Sequence, residues 1–358
     1  MCQGEVLNTH MKEASVSEVS IIGLDLAKHV FQAHGASKDG RMVFSKRLRR
    51  HEVMAFFSRQ PLCRVVMEAC GGSHYWAREI QQLGHDVKLI PPAHVKPFVK
   101  RNKTDAADAE AICEAAVRPN ARFVPIKSEA SQAGATLLRT RQLLERQRTQ
   151  AINALRGHMA EYGFIAPQGR WQVDRLVAMI EDKEVALREE ARVGLSALAS
   201  TIASLTQHLD RLDSQIKASV KQNETARRLM TIPGVGPMTA ASIVALVSDP
   251  SVFRCGRDLS AWVGLTPREH SSGGKQRLGH ISKQGDKTLR RLFLLGATAV
   301  VRQALIKPPA QTSWLGSMLA RKPRMLVITA VANKIARVAW ALMAKGGVYG
   351  EKAEVLAG

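Results

Sequence analysis

Four carboxylates stand where an acid is expensive. Asp25 closes the apolar run SIIGLD and Glu68 closes CRVVME ahead of a double glycine. Asp105 and Asp108 lie three residues apart in KTDAADAEAI, on one face of the helix that this segment predicts. A carboxylate at the end of a buried strand is costly to desolvate unless it is paired or bound to a cation. Two carboxylates one helical turn apart also repel each other. A divalent cation relieves both penalties, and oxygen donors carried by strands and a helix are what Mg²⁺ or Mn²⁺ takes. Singly, Asp25 has a plainer use as a cap of the turn before Ala27, and Asp105 as a helix N-terminal residue favoured by the dipole. All four in this order, in a basic chain, read as a metal site. Asp39, Glu52 and Glu79 fall in turns or on helix faces and read as solvated surface.

The elements that must position these acids are alternating strands and helices. IIGLD, a short run around Val30 to Ala33 and RMVFSKRLRR predict an antiparallel meander. HEVMAFFSRQ has helical spacing, and CRVVME and DVKLI read as buried strands. SHYWAREIQQLGH between them predicts a helix with a Ser cap and a Gly stop. After a loose leader at 1–18, residues 19–127 are therefore expected to form one α/β domain, a mixed sheet covered by helices.

From Ser128 the strand signals vanish. Leu195, Leu198, Ile202, Leu205, Leu209, Leu212 and Ile216 step by three and four, an a/d heptad seam. This predicts a long helical, coiled-coil arm over 128–223. A helix through Leu137, Leu144, Ile152 and Leu155 is one possible antiparallel partner, with GFIAPQG starting the connection. A hairpin within the chain and a coiled coil between chains both satisfy the seam, and a dimer or tetramer using part of it is expected. Residues 224–345 read as a mainly helical C-terminal domain. ARRLMTIPGVGPMTAASIVALV resembles a helix-hairpin-helix, in which Gly234 and Gly236 let backbone amides approach phosphates; the alternative is a tight turn without a ligand. Helices follow from Lys287 to about Met343, and 346–358 reads as a frayed tail.

The 358 residues carry 52 Lys and Arg against 31 Asp and Glu, a net charge of +21. That excess points to a polyanionic partner, nucleic acid before membrane. Aromatics are only 5%, which argues against recognition by rows of stacking rings. Five cysteines, an odd number without a CxxC pair, read as reduced thiols. No apolar run approaches the roughly 18–20 residues that span a bilayer. The first twenty residues carry Glu5, Glu13 and Glu18 and lack the apolar block of a secretory signal, so a cytoplasmic protein is expected.

The order IGLDLAK, VVMEACGG, KTDAADAEAI resembles the DEDD catalytic domain of the Piv-related insertion-sequence transposases of the IS-one-ten type, whose fold is like that of RuvC and ribonuclease H. IPGVGPMTAASIVA and DLSAWVGLTPREHSSGGKQRLGHISKQGDKTLRRLF resemble the second block of these recombinases. Together the matches span most of residues 20–345. The resemblance implies that Asp25, Glu68, Asp105 and Asp108 hold Mg²⁺ or Mn²⁺ at a scissile phosphate. It also implies a covalent serine–DNA link, donor and target DNA as partners, and a non-coding bridge RNA encoded by the element that pairs with both.

The serine would come from SSGGKQRLGHISKQG. Lys275, Arg277, His280, Lys283, Lys287, Arg290 and Arg291 surround Ser271, Ser272, Gly273 and Gly274 with positive charge. Such a field lowers the pKa of a hydroxyl and steadies a pentavalent phosphorane. By composition alone the segment reads equally as a flexible linker that touches phosphates. In the family motif the nucleophile directly precedes a glycine, five residues after the Gly-Leu-x-Pro proline. Counted from Pro267, that position is Ser272; Ser271 immediately before it is the competing hydroxyl, and Ser260 and Ser282 do not fit the spacing. His280 reads as a phosphate contact rather than a base. The chain has no GxxxxGK[ST] loop, as expected if strands are resealed without ATP. Competing readings are a RuvC-like junction nuclease that uses water and a scaffold that binds nucleic acid without cutting it.

Overall fold

The computed structural model describes residues 19–99, 104–167, 169 and 172–350. The expected leader and the last eight residues of the expected tail lie outside them. The chain divides into two compact units, Met1–Lys127 and Ser128–Gly358.

The first unit is built on a five-stranded sheet. Its strands are β1 (Ile21–Asp25), β2 (Val30–Ala36), β3 (Met42–Arg49), β4 (Arg64–Glu68) and β5 (Asp86–Ile90), in the order β3-β2-β1-β4-β5. The meander β1–β2–β3 is antiparallel, whereas β4 runs parallel to both β1 and β5. Alternation along the strands separates two apolar layers. On one face Ile22, Leu24, Val65, Met67 and Leu89 pack with α1 (Val53–Phe57) and α2 (Ser73–Gln82). On the other, Ile21, Val66 and Ile90 meet α3 (Pro92–Val95) and α4 (Asp105–Ala116).

The α2 terminus differs from expectation. Its N-cap is Gly72, and Ser73 is the first helical residue, fully buried, with its hydroxyl donating to the Cys70 carbonyl. The glycine stop holds, with Gly84 at φ +94° directly after the C-cap Leu83.

What sets the depth of α4 is Gly23. A Cβ there would stand 2.3 Å from the carbonyl oxygen of Ala109 and 2.8 Å from Cys113 Sγ. The missing side chain lets the helix backbone lie directly on β1. Period two puts Gly23 and Asp25 on the same face of β1, so the α4 N-terminus is carried towards the strand's acidic end. Thr104 caps that end by accepting from the Ala107 amide.

In the second unit α5 (Glu129–Glu161) and α7 (Glu189–Gln222) are long helices lying antiparallel. At one end Leu138 of α5 packs with Ile216 of α7, and at the other Leu155 and Met159 pack with Leu195, Ile202 and α6 (Gln172–Glu181). The two halves of the heptad seam fare differently. Leu195, Ile202, Leu209 and Ile216 are buried, whereas Leu198, Leu205 and Leu212 are half-exposed. The partner of the buried half is a helix of the same chain. Between the ends, Arg141 of α5 holds Asp213 of α7 through Nε and, at 3.1 Å, Nη2.

A helical core completes the unit. It comprises α8 (Glu224–Leu229), α9 (Pro237–Leu246), α10 (Gly256–Val263), α11 (Lys287–Ile306), α12 (Trp314–Arg321) and α13 (Arg324–Lys345). By length and composition α13 could cross a bilayer, with mean hydropathy 1.5 over its most apolar window, although no such run is expected from the sequence. Its Val327, Val331, Ile335, Val338 and Leu342 instead face the apolar cluster of this core. The C-terminal segment also contains strands that its sequence does not predict. β6 (Pro267–Glu269) and β7 (Leu278–Ile281) form an antiparallel hairpin around the serines.

If close approach at Gly23 positions α4, Gly23→Ala should cost about 1–3 kcal/mol through overpacking. Urea denaturation should show that loss. It should also show that Gly40→Ala, where a Cβ meets open space, costs no more than its left-handed backbone demands, about 1–2 kcal/mol.

Candidate functional site

Asp25 and Glu68 end neighbouring parallel strands, with Leu24 opposite Met67 in register. Both side chains therefore leave the carboxyl end of the sheet on the α4 face, where ligands of open α/β sheets commonly bind. Asp105 and Asp108 occupy the first turn of α4. The structure brings all four together electrostatically. Burial, and then the charges of Asp108, Asp105 and Glu68, push the Asp25 carboxyl up to about 6 against one opposing bond from the Leu26 amide. The field reaches Cys70 just beyond β4, whose thiol is held above its ordinary range by burial and then by Glu68 and Asp25.

Among the described residues no three His, Cys, Asp or Glu close into a preformed cage. The donor set nevertheless suits a hard divalent cation. It is all oxygen and multiply anionic, and it holds one carboxylate that its surroundings drive towards the neutral form. Asp25, Glu68, Asp105 and Asp108 are the residues that would hold such an ion.

The serine hairpin is a defined structure rather than a loose loop. Gly273 and Gly274 both have positive φ, +56° and +74°, and the Lys275 amide donates to the Ser272 carbonyl at 3.1 Å. Two consecutive left-handed residues are the mark of a type I′ turn, for which Gly-Gly is a standard sequence. The two serines differ sharply. Ser271 Oγ donates to Glu269 Oε1 at 2.8 Å and accepts from the Arg277 amide at 3.1 Å, tying the strands together. Ser272 is exposed and its hydroxyl has no partner among the described residues.

The surrounding cations sort into two kinds. Lys275, Arg277, His280, Lys283, Lys287 and Arg291 are exposed, and Lys287 and Arg291 line a shallow cleft with Leu294 and Leu295. Arg290 lines the same cleft but is held differently. It is buried, and its Nη1 donates to the carbonyls of Val263 and Gln284, so it fastens the hairpin's return to the end of α10. Composition could not separate this guanidinium from its neighbours. The close approach at Gly234 likewise serves packing. A Cβ there would stand 2.6 Å from the Gly296 carbonyl oxygen of α11. Gly236 is exposed, with open space where its Cβ would be.

The acidic group belongs to the first unit and the serine hairpin to the second. Comparison with known proteins gives the family. The DEDD transposase family model of the IS110 type matches residues 22–164, and the model described as "Transposase IS116/IS110/IS902 family" matches residues 226–312. A probable family 20 transposase of Pseudomonas aeruginosa is 46% identical over 92% of this chain and 98% of its own length. The transposase for insertion sequence element IS1111A of Coxiella burnetii is 37% identical over 94% and 93%. A pilin gene-inverting protein of Moraxella bovis is 23% identical over 90% and 95%. The chain belongs to the IS110/IS116 family of DEDD transposases.

The raised Asp25 pKa gives a stability signature. Between about pH 4 and 6 the folded state holds a proton that the unfolded state releases, so stability falls as pH rises through that window and stays lowered above it. A displacement of that size is worth about 3 kcal/mol, which solvent screening at this half-exposed site reduces to about 1 kcal/mol. In chelator, Asp25→Asn should therefore melt about 2–4 °C above wild type at pH 7.5. The gap should close towards pH 4, and an equal gap at both pH values in differential scanning fluorimetry would contradict the assignment.

Proposed function

We propose that this transposase moves an insertion sequence by cutting and rejoining DNA through a covalent serine–DNA intermediate, at a site that uses Mg²⁺ or Mn²⁺. One observation carries the reading: four carboxylates converge at the carboxyl end of a sheet in a chain of net charge +21. We read 19–127 as a RuvC/ribonuclease H-like catalytic domain, 128–223 as its arm and 224–345 as the domain that carries the serine. The strand order, with a meander followed by parallel β4 and β5, supports the first of these.

Asp25, Glu68, Asp105 and Asp108 would hold the cation, which when bound would supply charge neutralisation at the scissile phosphate. Ser272 Oγ attacks phosphorus. The Oγ–P bond forms as one P–O ester bond to sugar breaks, the serine proton passes to solvent, and the departing sugar oxygen takes up a proton. Reversal with the sugar hydroxyl of another strand restores the phosphodiester without ATP. Exposed Lys275 and Arg277 favour the anionic transition state. The free Ser272 hydroxyl, beside a Ser271 engaged twice within the hairpin, supports Ser272 as nucleophile. A bridge RNA pairing with donor and target DNA, and a homo-oligomer that places two such sites, complete the proposal; the positive charge accommodates both nucleic acids.

The test is a denaturing gel of labelled DNA carrying the element's ends, incubated with Mg²⁺ and protein from cells expressing the whole element. Wild type should give a protein–DNA adduct whose linked peptide contains Ser272. Ser272→Ala should lose adduct and strand exchange by at least about 10³-fold while binding DNA. Ser271→Ala should retain measurable activity. An adduct on Ser271 would move the nucleophile, and metal-dependent cleavage with no adduct would establish a nuclease that uses water.

A further inference from the structure

A second site lies beside the root of the serine hairpin, within the second unit. It is a cleft of about 910 Å³ between β6, β7 and helices α12 and α13, lined by Pro267, His280, Lys283, Trp314, Met325 and Lys334 among others. Three features identify its ligand. The Trp314 indole is 43% exposed, and Met325, at 70%, and Leu326, at 50%, add apolar surface beside it. Lys334 Nζ sits 4.8 Å from the Trp314 ring centroid, so an ammonium accompanies the aromatic face. None of the lining residues is acidic, and the connection from α12 to α13 adds exposed Arg321, Lys322 and Arg324, which form no ion pair among the described residues. An apolar helix from a partner protein would suit Met325 and Leu326 but leave this positive rim unmatched. A flat aromatic ligand carrying negative charge satisfies both.

We propose that the cleft takes an unpaired nucleotide of the DNA strand that runs from Ser272, its base stacked on Trp314 and its phosphates met by Lys334, Lys283 and the Arg321–Arg324 connection. The proposal rests on the reading of Ser272 as the residue that joins DNA. Pro267, at the root, is five residues from Ser272 at the tip, about 16 Å at ~3.3 Å per residue. A strand attached at the tip thus reaches the cleft within about five nucleotides at ~3.4 Å each. Asn333 offers a means of reading the base. Its side-chain nitrogen donates to the buried Ser260 hydroxyl at 3.2 Å, which turns the amide oxygen into the remaining acceptor.

The full-length chain is titrated against a fluorescein-labelled 20-nucleotide DNA strand of mixed sequence, its duplex, and the RNA strand of the same sequence. Trp314→Ala should weaken single-stranded DNA binding about tenfold and change duplex binding less than about twofold. Trp314→Phe should keep most of the affinity yet lose the quenching of tryptophan fluorescence that DNA causes in wild type. Lys334→Met should lower the salt slope by about one. Circular dichroism melting confirms that each variant is folded. Unchanged single-strand affinity in Trp314→Ala, or equal losses on strand and duplex, overturns the proposal. A loss confined to RNA replaces its ligand, and unchanged binding with a lower mass in light scattering assigns the cleft to a second copy of the chain. The Ser272 adduct is scored separately. Wild-type adduct with an indifferent Trp314 removes only the cleft, and a Trp314 effect without any adduct removes only the nucleophile.

Discussion

The acidic site depends on a backbone-to-backbone contact made possible by a single missing side chain. At Gly23 the carbonyl of Ala109 occupies the volume a Cβ would need, and at that separation the first-turn acids of α4 act on Asp25 together with Glu68. The contact works against itself electrostatically. Apolar packing of Ile112, Ala115 and Ala116 on Ile21 and Val66 presses the helix down, while the carboxylates it delivers raise the cost of ionising Asp25. Such an arrangement persists because burial of the apolar face exceeds the repulsion.

The serine hairpin follows another rule. All of its residues from Pro267 to His280 are exposed, and its order comes from the I′ turn, the Ser271–Glu269 and Ser271–Arg277 bonds, and the anchorage of its return by Arg290. Rigidity is local and polar here, whereas in the first unit it is apolar and long-range. A hydroxyl presented this way is accessible to a large, charged duplex without opening the core.

Much of the first unit is legible in the sequence because carboxylates closing apolar strands violate the burial rule, and a violation is informative. Strand alternation, the α4 face and the glycine stop at Gly84 are legible for similar reasons. The α2 cap is not, because Ser73 and Gly72 are adjacent and only geometry separates a cap from a buried first-turn hydroxyl. The hairpin escapes sequence reasoning because two short, wholly exposed strands carry no hydrophobic alternation, although Gly273–Gly274 is a turn signal. Arg290 is indistinguishable in sequence from a phosphate contact because a run of cations does not disclose which one points inward. The apolar character of α13 is masked by Lys334 and Arg337, which interrupt it. The heptads leave the partner of α7 open, since helices of one chain or of two satisfy the same seam.

That seam has a further property. Leu195, Ile202, Leu209 and Ile216 recur every seven residues, so an apolar stripe of this kind looks the same to its neighbour after a slide of two turns, about 10 Å. Hydrophobic contact alone would leave several alignments of α5 on α7 nearly equal in energy. The pairing of Arg141 with Asp213 is not periodic. After such a slide the bidentate bond between them is lost, and Arg141 keeps only Glu145 of its own helix. One polar pair thus converts a repetitive surface into an address, and it fixes the alignment of α5 along α7.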